Sequence, residues 1–198
     1  RGAGELLGEQ QTGQMQQIGF SLYTQMLSQA VQAIRSGETL DIDQTRALGP
    51  EVNMHLPALL PEDYMPDIQM RLVLYKRIAS ASDEAALRNL KIELIDRFGL
   101  LPKATLHLCR QTAIRLRATR LGIHKIEAWP QGVTVEFGNS STVDPARLVQ
   151  LIQDSPDRYS FDNRQRLRVT AALEEPEARF AVVENLLDTL NEDKASAA

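Results

Sequence analysis

Between residues 11 and 34, Met15, Ile18, Leu22, Met26, Ala30 and Ile34 recur at three- or four-residue spacing, and Gly37 stands where a helix could stop. That spacing places one apolar stripe on an amphipathic helix. Val52, Met54 and Leu56 alternate with Asn53 and His55 before Pro57, which predicts a half-buried strand. Pro57, Pro61 and Pro66 keep the next stretch extended and irregular. Helical spacing returns after Asp67, a capping residue, with Ile68, Leu72, Tyr75 and Ile78 on the predicted inner side. A second helix is predicted with Ser82 as N-cap, with Asp83 and Glu84 in its first turn and Leu87, Leu90, Leu94, Ile95 and Phe98 as its buried stripe. Gly99 closes it, and a third helix is expected from Ala104 to Leu121, before Gly122. Two strands follow, Lys125–Ala128 and Val133–Phe137, with Pro130-Gln131-Gly132 as a hairpin joint. Asp144-Pro145 opens a short helix to Asp154. Tyr159–Asp162 and Leu167–Thr170 read as strands, and a last helix starting at Pro176 carries Phe180, Val183, Leu187 and Leu190.

This order predicts an α+β fold, helices packed on a small antiparallel sheet, preceded by a helical N-terminal extension. Residues 1–36 form the extension, 37–50 a weakly periodic linker ending in Gly49-Pro50, and 51–198 the α+β domain. The chain opens with Arg1-Gly2-Ala3-Gly4 and without Met, as a piece of a longer protein would.

Composition narrows the function classes. The 198 residues are 43% hydrophobic, enough for a packed core, and only 5% aromatic. Lys and Arg number 22 against 26 Asp and Glu, a net charge of −4, which argues against a general nucleic-acid coat or an anionic-membrane anchor. The uncharged run Gln11–Ile34 is interrupted by seven glutamines, which argues against a bilayer span. One cysteine, Cys109, excludes an internal disulfide framework and a cysteine zinc cage, so a reducing cytoplasm is expected.

Candidate chemistry is sparse. Gly2-Ala3-Gly4-Glu5-Leu6-Leu7-Gly8 mimics a dinucleotide-binding glycine pattern but has neither the preceding strand nor the later acidic residue. No Gly-x-x-x-x-Gly-Lys-Ser/Thr loop and no Gly-x-Ser-x-Gly elbow is present. His107 and Cys109, two apart on a helix, do not face each other; His107 reads as a surface residue and Cys109 as core. No enzymatic activity, cofactor or metal is expected in these residues alone. Arg110 and Arg117 share one flank of the third helix with Arg115 nearly opposite, and Arg164, Arg166 and Arg168 line one strand face; either set could contact phosphates or be solvated. Glu93 and Asp96 share an exposed helix side. They suit an arginine-bearing partner, although Glu93 can equally pair with Arg97 four residues on.

Longer motifs carry a resemblance. Arg1-Gly2-Ala3-Gly4-Glu5-Leu6-Leu7-Gly8-Glu9-Gln10-Gln11-Thr12-Gly13 resembles the end of the TRG translocation motif of RecG-like DNA motors. Ile18-Gly19-Phe20-Ser21-Leu22-Tyr23, Leu59-Leu60-Pro61-Glu62-Asp63-Tyr64-Met65-Pro66-Asp67 and Tyr75-Lys76-Arg77-Ile78-Ala79-Ser80 are similar to the bacterial transcription-repair coupling factors (Mfd). So is Glu93-Leu94-Ile95-Asp96-Arg97-Phe98-Gly99-Leu100-Leu101-Pro102, and RecG lacks the domain after residue 50.

The resemblance implies an ATP- and Mg-dependent duplex-DNA translocase that removes stalled RNA polymerase and recruits UvrA to start excision repair. This chain would be its non-catalytic tail, holding the end of TRG and a C-terminal regulatory domain, with the nucleotide-binding motifs lying elsewhere. In such proteins that domain packs on the UvrB-like module of the same chain and masks the UvrA-binding surface. Arg1 and Gln11 match TRG positions that couple nucleotide state to DNA movement; Gln10 stands where the family often has Glu, so a carboxylate role does not transfer. Glu93 and Asp96 match the helix facing basic residues of the UvrB-like module, which makes them the expected inter-domain contact. The alternative is a DNA-contacting accessory module of the translocase.

Overall fold

The computed structural model describes residues 49–162 and 166–191. The expected N-terminal extension, nearly all of the linker, and with them Arg1 and Gln11, lie outside the described residues, as does Arg164. In chain order the elements are β1 (Glu51–Asn53), α1 (Ile68–Ala79), α2 (Glu84–Phe98), α3 (Lys103–Arg120), β2 (Ile123–Trp129), β3 (Gly132–Phe137), α4 (Pro145–Asp154), β4 (Tyr159–Asp162), β5 (Arg166–Thr170) and α5 (Pro176–Asn191). The architecture is α+β.

The sheet order is β1-β2-β3-β5-β4. It is antiparallel from β2 to β4, as expected, and becomes mixed at its edge, where β1 runs parallel to β2 with Val52 opposite Ile126. Parallel neighbours need a long crossover, and α1–α3 supply one here. Side-chain alternation then sorts the two faces. Val133, Val135, Leu167 and Val169 are buried with Ile126 and Ala128, whereas Glu136, Arg166, Arg168, Lys125 and Glu127 stand on the other face. That charged face is a mixed-sign ladder: Lys125 pairs with Glu51 and Glu127, and Arg166 with Asp162 and Glu136.

Two apolar cores share α3. The larger lies under the sheet and takes Ile114 and Ala118 from α3 and Phe180, Val183, Leu187 and Leu190 from α5. The smaller joins α1 and α2 to the first half of α3 through Leu74, Tyr75, Ile78, Leu87, Leu90, Leu94, Leu108 and Cys109. Cys109 is therefore core, and burial pushes its thiol up to about 11, which keeps it neutral and a poor nucleophile. His107 corrects the sequence reading. It is buried, not superficial, with Nδ1 2.9 Å from the Pro57 carbonyl and its ring against Phe180. A helix enclosed by two cores has little solvent side left for its first half.

Local detail shifts in three further places. On α1 the buried residues are Leu74, Tyr75 and Ile78, while Ile68 and Leu72 stay exposed. The reason is non-local: Leu74, and not Leu72, joins Leu87, Leu90 and Leu94 in the smaller core, and the Leu60 N–H donates to the Tyr75 hydroxyl at 2.7 Å. The N-cap of α2 is Asp83, whose carboxylate accepts the Ala86 N–H at 2.7 Å, with the Ser82 hydroxyl bonded to Asp83 instead. Ile95 is exposed beside the Leu87–Leu90–Leu94 stripe.

Arg179, only 6% exposed, joins α5 to the residues that follow β1. Its guanidinium donates to the carbonyls of Leu173 (2.8 Å), Met54 (3.1 Å), His55 (3.2 Å) and Glu174 (3.4 Å). A cation in the first turn of a helix opposes the helix dipole, so these carbonyls must hold it.

Candidate interaction surface on the second helix

The capping of α2 at Asp83 and its burial through Leu87, Leu90 and Leu94 fix which side faces water. Glu93 and Asp96 lie together on that outer side, the first half-buried and the second exposed. With Asn89, Ile92 and Arg97 they line an open depression of about 450 Å³. Ile92 is 52% exposed, which sets an apolar side chain beside the two carboxylates.

The two acids are not equivalent. Arg77, from the last turn of α1, forks onto Glu93, with Nη1 2.8 Å from Oε1 and Nη2 2.6 Å from Oε2. Arg97 adds a third bond to Oε1 at 3.1 Å. Arg97 is itself seated over the Phe98 ring at 4.9 Å, with Nη2 3.9 Å from the Met70 sulfur. Among the described residues, Asp96 has no ion-pair partner. The Glu93–Arg97 pair anticipated from spacing is present; Arg77 was not foreseen, because nothing local links the end of α1 to the middle of α2.

The Arg77 fork, seconded by Arg97, lowers the Glu93 carboxyl from 4.5 to about 2. Because the folded value is depressed, the stabilisation is fully present above pH 4.5 and is lost as pH falls towards 2. The expected carboxyl-carbon NMR titration of the folded chain has its Glu93 midpoint clearly below 4.5. A midpoint near 4.5 means that the fork does not hold in solution.

The arginines read as candidate phosphate ligands are engaged elsewhere. Arg110 bonds Glu184 through Nε (3.0 Å) and Nη2 (2.8 Å) and Glu177 through Nη1 (2.5 Å). Arg117 meets Asp188 and the Glu184 carbonyl, and Arg115 donates to the Ala79 carbonyl. Arg166 bonds Asp162 at 2.9 Å, and Arg168 reaches the same carboxylate at 3.5 Å. Glu177, Glu184 and Asp188, seven and four apart, form the carboxylate stripe that faces the α3 flank; that spacing was readable in the sequence. Among the described residues no group of three or more His, Cys, Asp or Glu is placed to hold a metal ion. Nor is any described helix long and apolar enough to cross a membrane.

Residues 54–148 match the TRCF domain family. The transcription-repair-coupling factor of Haemophilus influenzae is 43% identical over 190 residues, covering 96% of this chain and 17% of the relative. That of Escherichia coli is 42% identical over 193 residues, 98% of this chain and again 17% of the relative. The chain belongs to the transcription-repair-coupling-factor family. It spans less than a fifth of the length of these relatives, and the match to the TRCF domain includes α1, α2 and α3 with the acidic side of α2. A crystal structure of the C-terminal domain of transcription-repair coupling factor shares the fold, with a TM-score of 0.60 at 17% identity over 74% of this chain and 96% of that one.

Proposed function

We propose that this chain is the non-catalytic C-terminal regulatory part of an ATP- and Mg-dependent DNA translocase, and that α2 latches it onto the UvrB-like module of the same protein. The latch masks the surface that recruits UvrA until the motor engages stalled RNA polymerase on duplex DNA. Arg1 and Gln11, in the extension, belong on this reading to the TRG element of the motor, and the whole works in the cytoplasm.

The observation that carries the reading is the juxtaposition on α2: two carboxylates and an exposed isoleucine line one depression, outside both cores. Carboxylates take arginine forks bidentately, so a basic module surface is the fitting partner. A partner held in cis meets the surface at high effective concentration, so a weak contact suffices and the motor can still open it. The four described arginines that a DNA-gripping role would use, Arg110, Arg117, Arg166 and Arg168, already hold carboxylates, which favours the latch over the DNA-accessory reading.

Removing one side of a desolvated interface charge pair costs ~2–5 kcal/mol. Glu93→Ala/Asp96→Ala in the full-length parent is therefore expected to raise its affinity for UvrA by at least about tenfold, measured by calorimetric titration. Unchanged UvrA affinity with an intact fold would remove the latch.

A further inference from the structure

We propose that Arg77 is an internal competitor at Glu93: its guanidinium occupies the carboxylate that a partner arginine would take, and so sets the latch to a graded, low affinity. This rests on the latch reading above and adds its regulation.

The geometry has three parts. The Arg77 fork covers both Glu93 oxygens, at 2.8 and 2.6 Å, from a different helix. Asp96, three residues on and lining the same depression, carries no ion pair among the described residues. The ridge is thus half covered by the protein itself. Second, the cover is removable: the Arg77 side chain is 45% exposed, and exposed ion pairs are weak. A partner arginine can displace it fork for fork, and Glu93 is left without a counter-charge at no stage. Third, Arg97 is not equivalent, because the Phe98 ring and the Met70 sulfur seat it independently of Glu93. Arg97 stays while Arg77 exchanges.

A closed latch lowers apparent UvrA affinity in proportion to its closing constant. Taking away the competitor therefore strengthens closure and weakens UvrA binding, opposite in sign to the loss of Glu93 and Asp96. In the full-length parent, Arg77→Gln is expected to weaken UvrA binding about fivefold, the ratio equivalent to one exposed ion pair. Arg77→Lys, which keeps the charge and loses the fork, is expected to show a smaller effect of the same sign. Lys76→Gln removes the same charge from the exposed neighbouring position and is expected to leave UvrA binding unchanged.

If Arg77→Gln leaves UvrA binding unchanged or strengthens it while Glu93→Ala/Asp96→Ala opens the protein, the competitor is wrong and the latch stands. The competitor also falls if Lys76→Gln weakens UvrA binding as much as Arg77→Gln, since long-range charge then accounts for the change. If the double variant leaves UvrA affinity unaltered, the latch itself fails and the competitor with it. A plain staple between α1 and α2 predicts the reverse sign: lower stability and looser closure on Arg77→Gln.

Discussion

Arg179→Met is expected to cost about 3–5 kcal/mol of unfolding free energy, read as a lower urea midpoint at an unchanged m-value. The loss arises less from the side chain than from what it leaves behind. The Met54 and Leu173 carbonyls meet the guanidinium in buried bonds and those of His55 and Glu174 in part-buried ones, and a buried acceptor without a donor costs far more than a bond exchanged with water. Methionine fills much of the volume and supplies no donor, so cavity formation is held small. Arg179→Lys is expected to fall between wild type and Arg179→Met, because an ammonium cannot reproduce the planar spread of donors. A loss below about 1 kcal/mol for the methionine variant would mean that the four carbonyls find water, and that the clamp does not tie β1 down.

Gly132→Ala is the second large effect, expected at about 3 kcal/mol or more. Gly132 has a φ of +154°, and a methyl there would lie 2.1 Å from the Val169 carbonyl oxygen, a backbone atom of the neighbouring strand. The clash falls where β3 starts, opposite Thr170 of β5, so relief means parting two central strands. Gly99 provides the comparison. Its φ of +84° with ψ −165° is nearly confined to glycine, but nothing lies within 4 Å, so Gly99→Ala carries backbone strain alone, about 1–3 kcal/mol. Paired thermal or urea unfolding of the two variants checks the difference. Equal losses would show that φ, and not the approach of Val169, governs Gly132.

The contrast between what sequence shows and what it hides runs along the same lines. Asp67, Asp144-Pro145, Pro130-Gln131-Gly132 and the Phe180–Val183–Leu187–Leu190 stripe all act within a few residues of themselves, and each does what its pattern indicates. The rotation of α1 was not readable, because apolar residues fall on more than one of its sides and packing in the core shared with α2 and α3 decides among them. The burial of His107 had no local signal either, since a carbonyl far back in the chain receives it. On the candidate surface, the shared side of Glu93 and Asp96 followed from their spacing, and so did the Arg97 pair. The inequality of the two acids did not, because Arg77 reaches Glu93 from another helix.

The parallel pairing of β1 with β2 has a consequence for the order in which the domain can assemble. In a chain made from its N-terminus, β1 leaves the ribosome before α1, α2 and α3, and its partner strand emerges only after all three. The helical core around Leu74, Leu90 and Cys109 is complete at that point and can close first, bringing the two ends of the crossover together. Even then the strand is not secured, because the carbonyls of Met54 and His55 wait for Arg179 in the last helix. Among the described elements the first is thus fastened by the last, and a chain broken off before residue 179 leaves β1 untied.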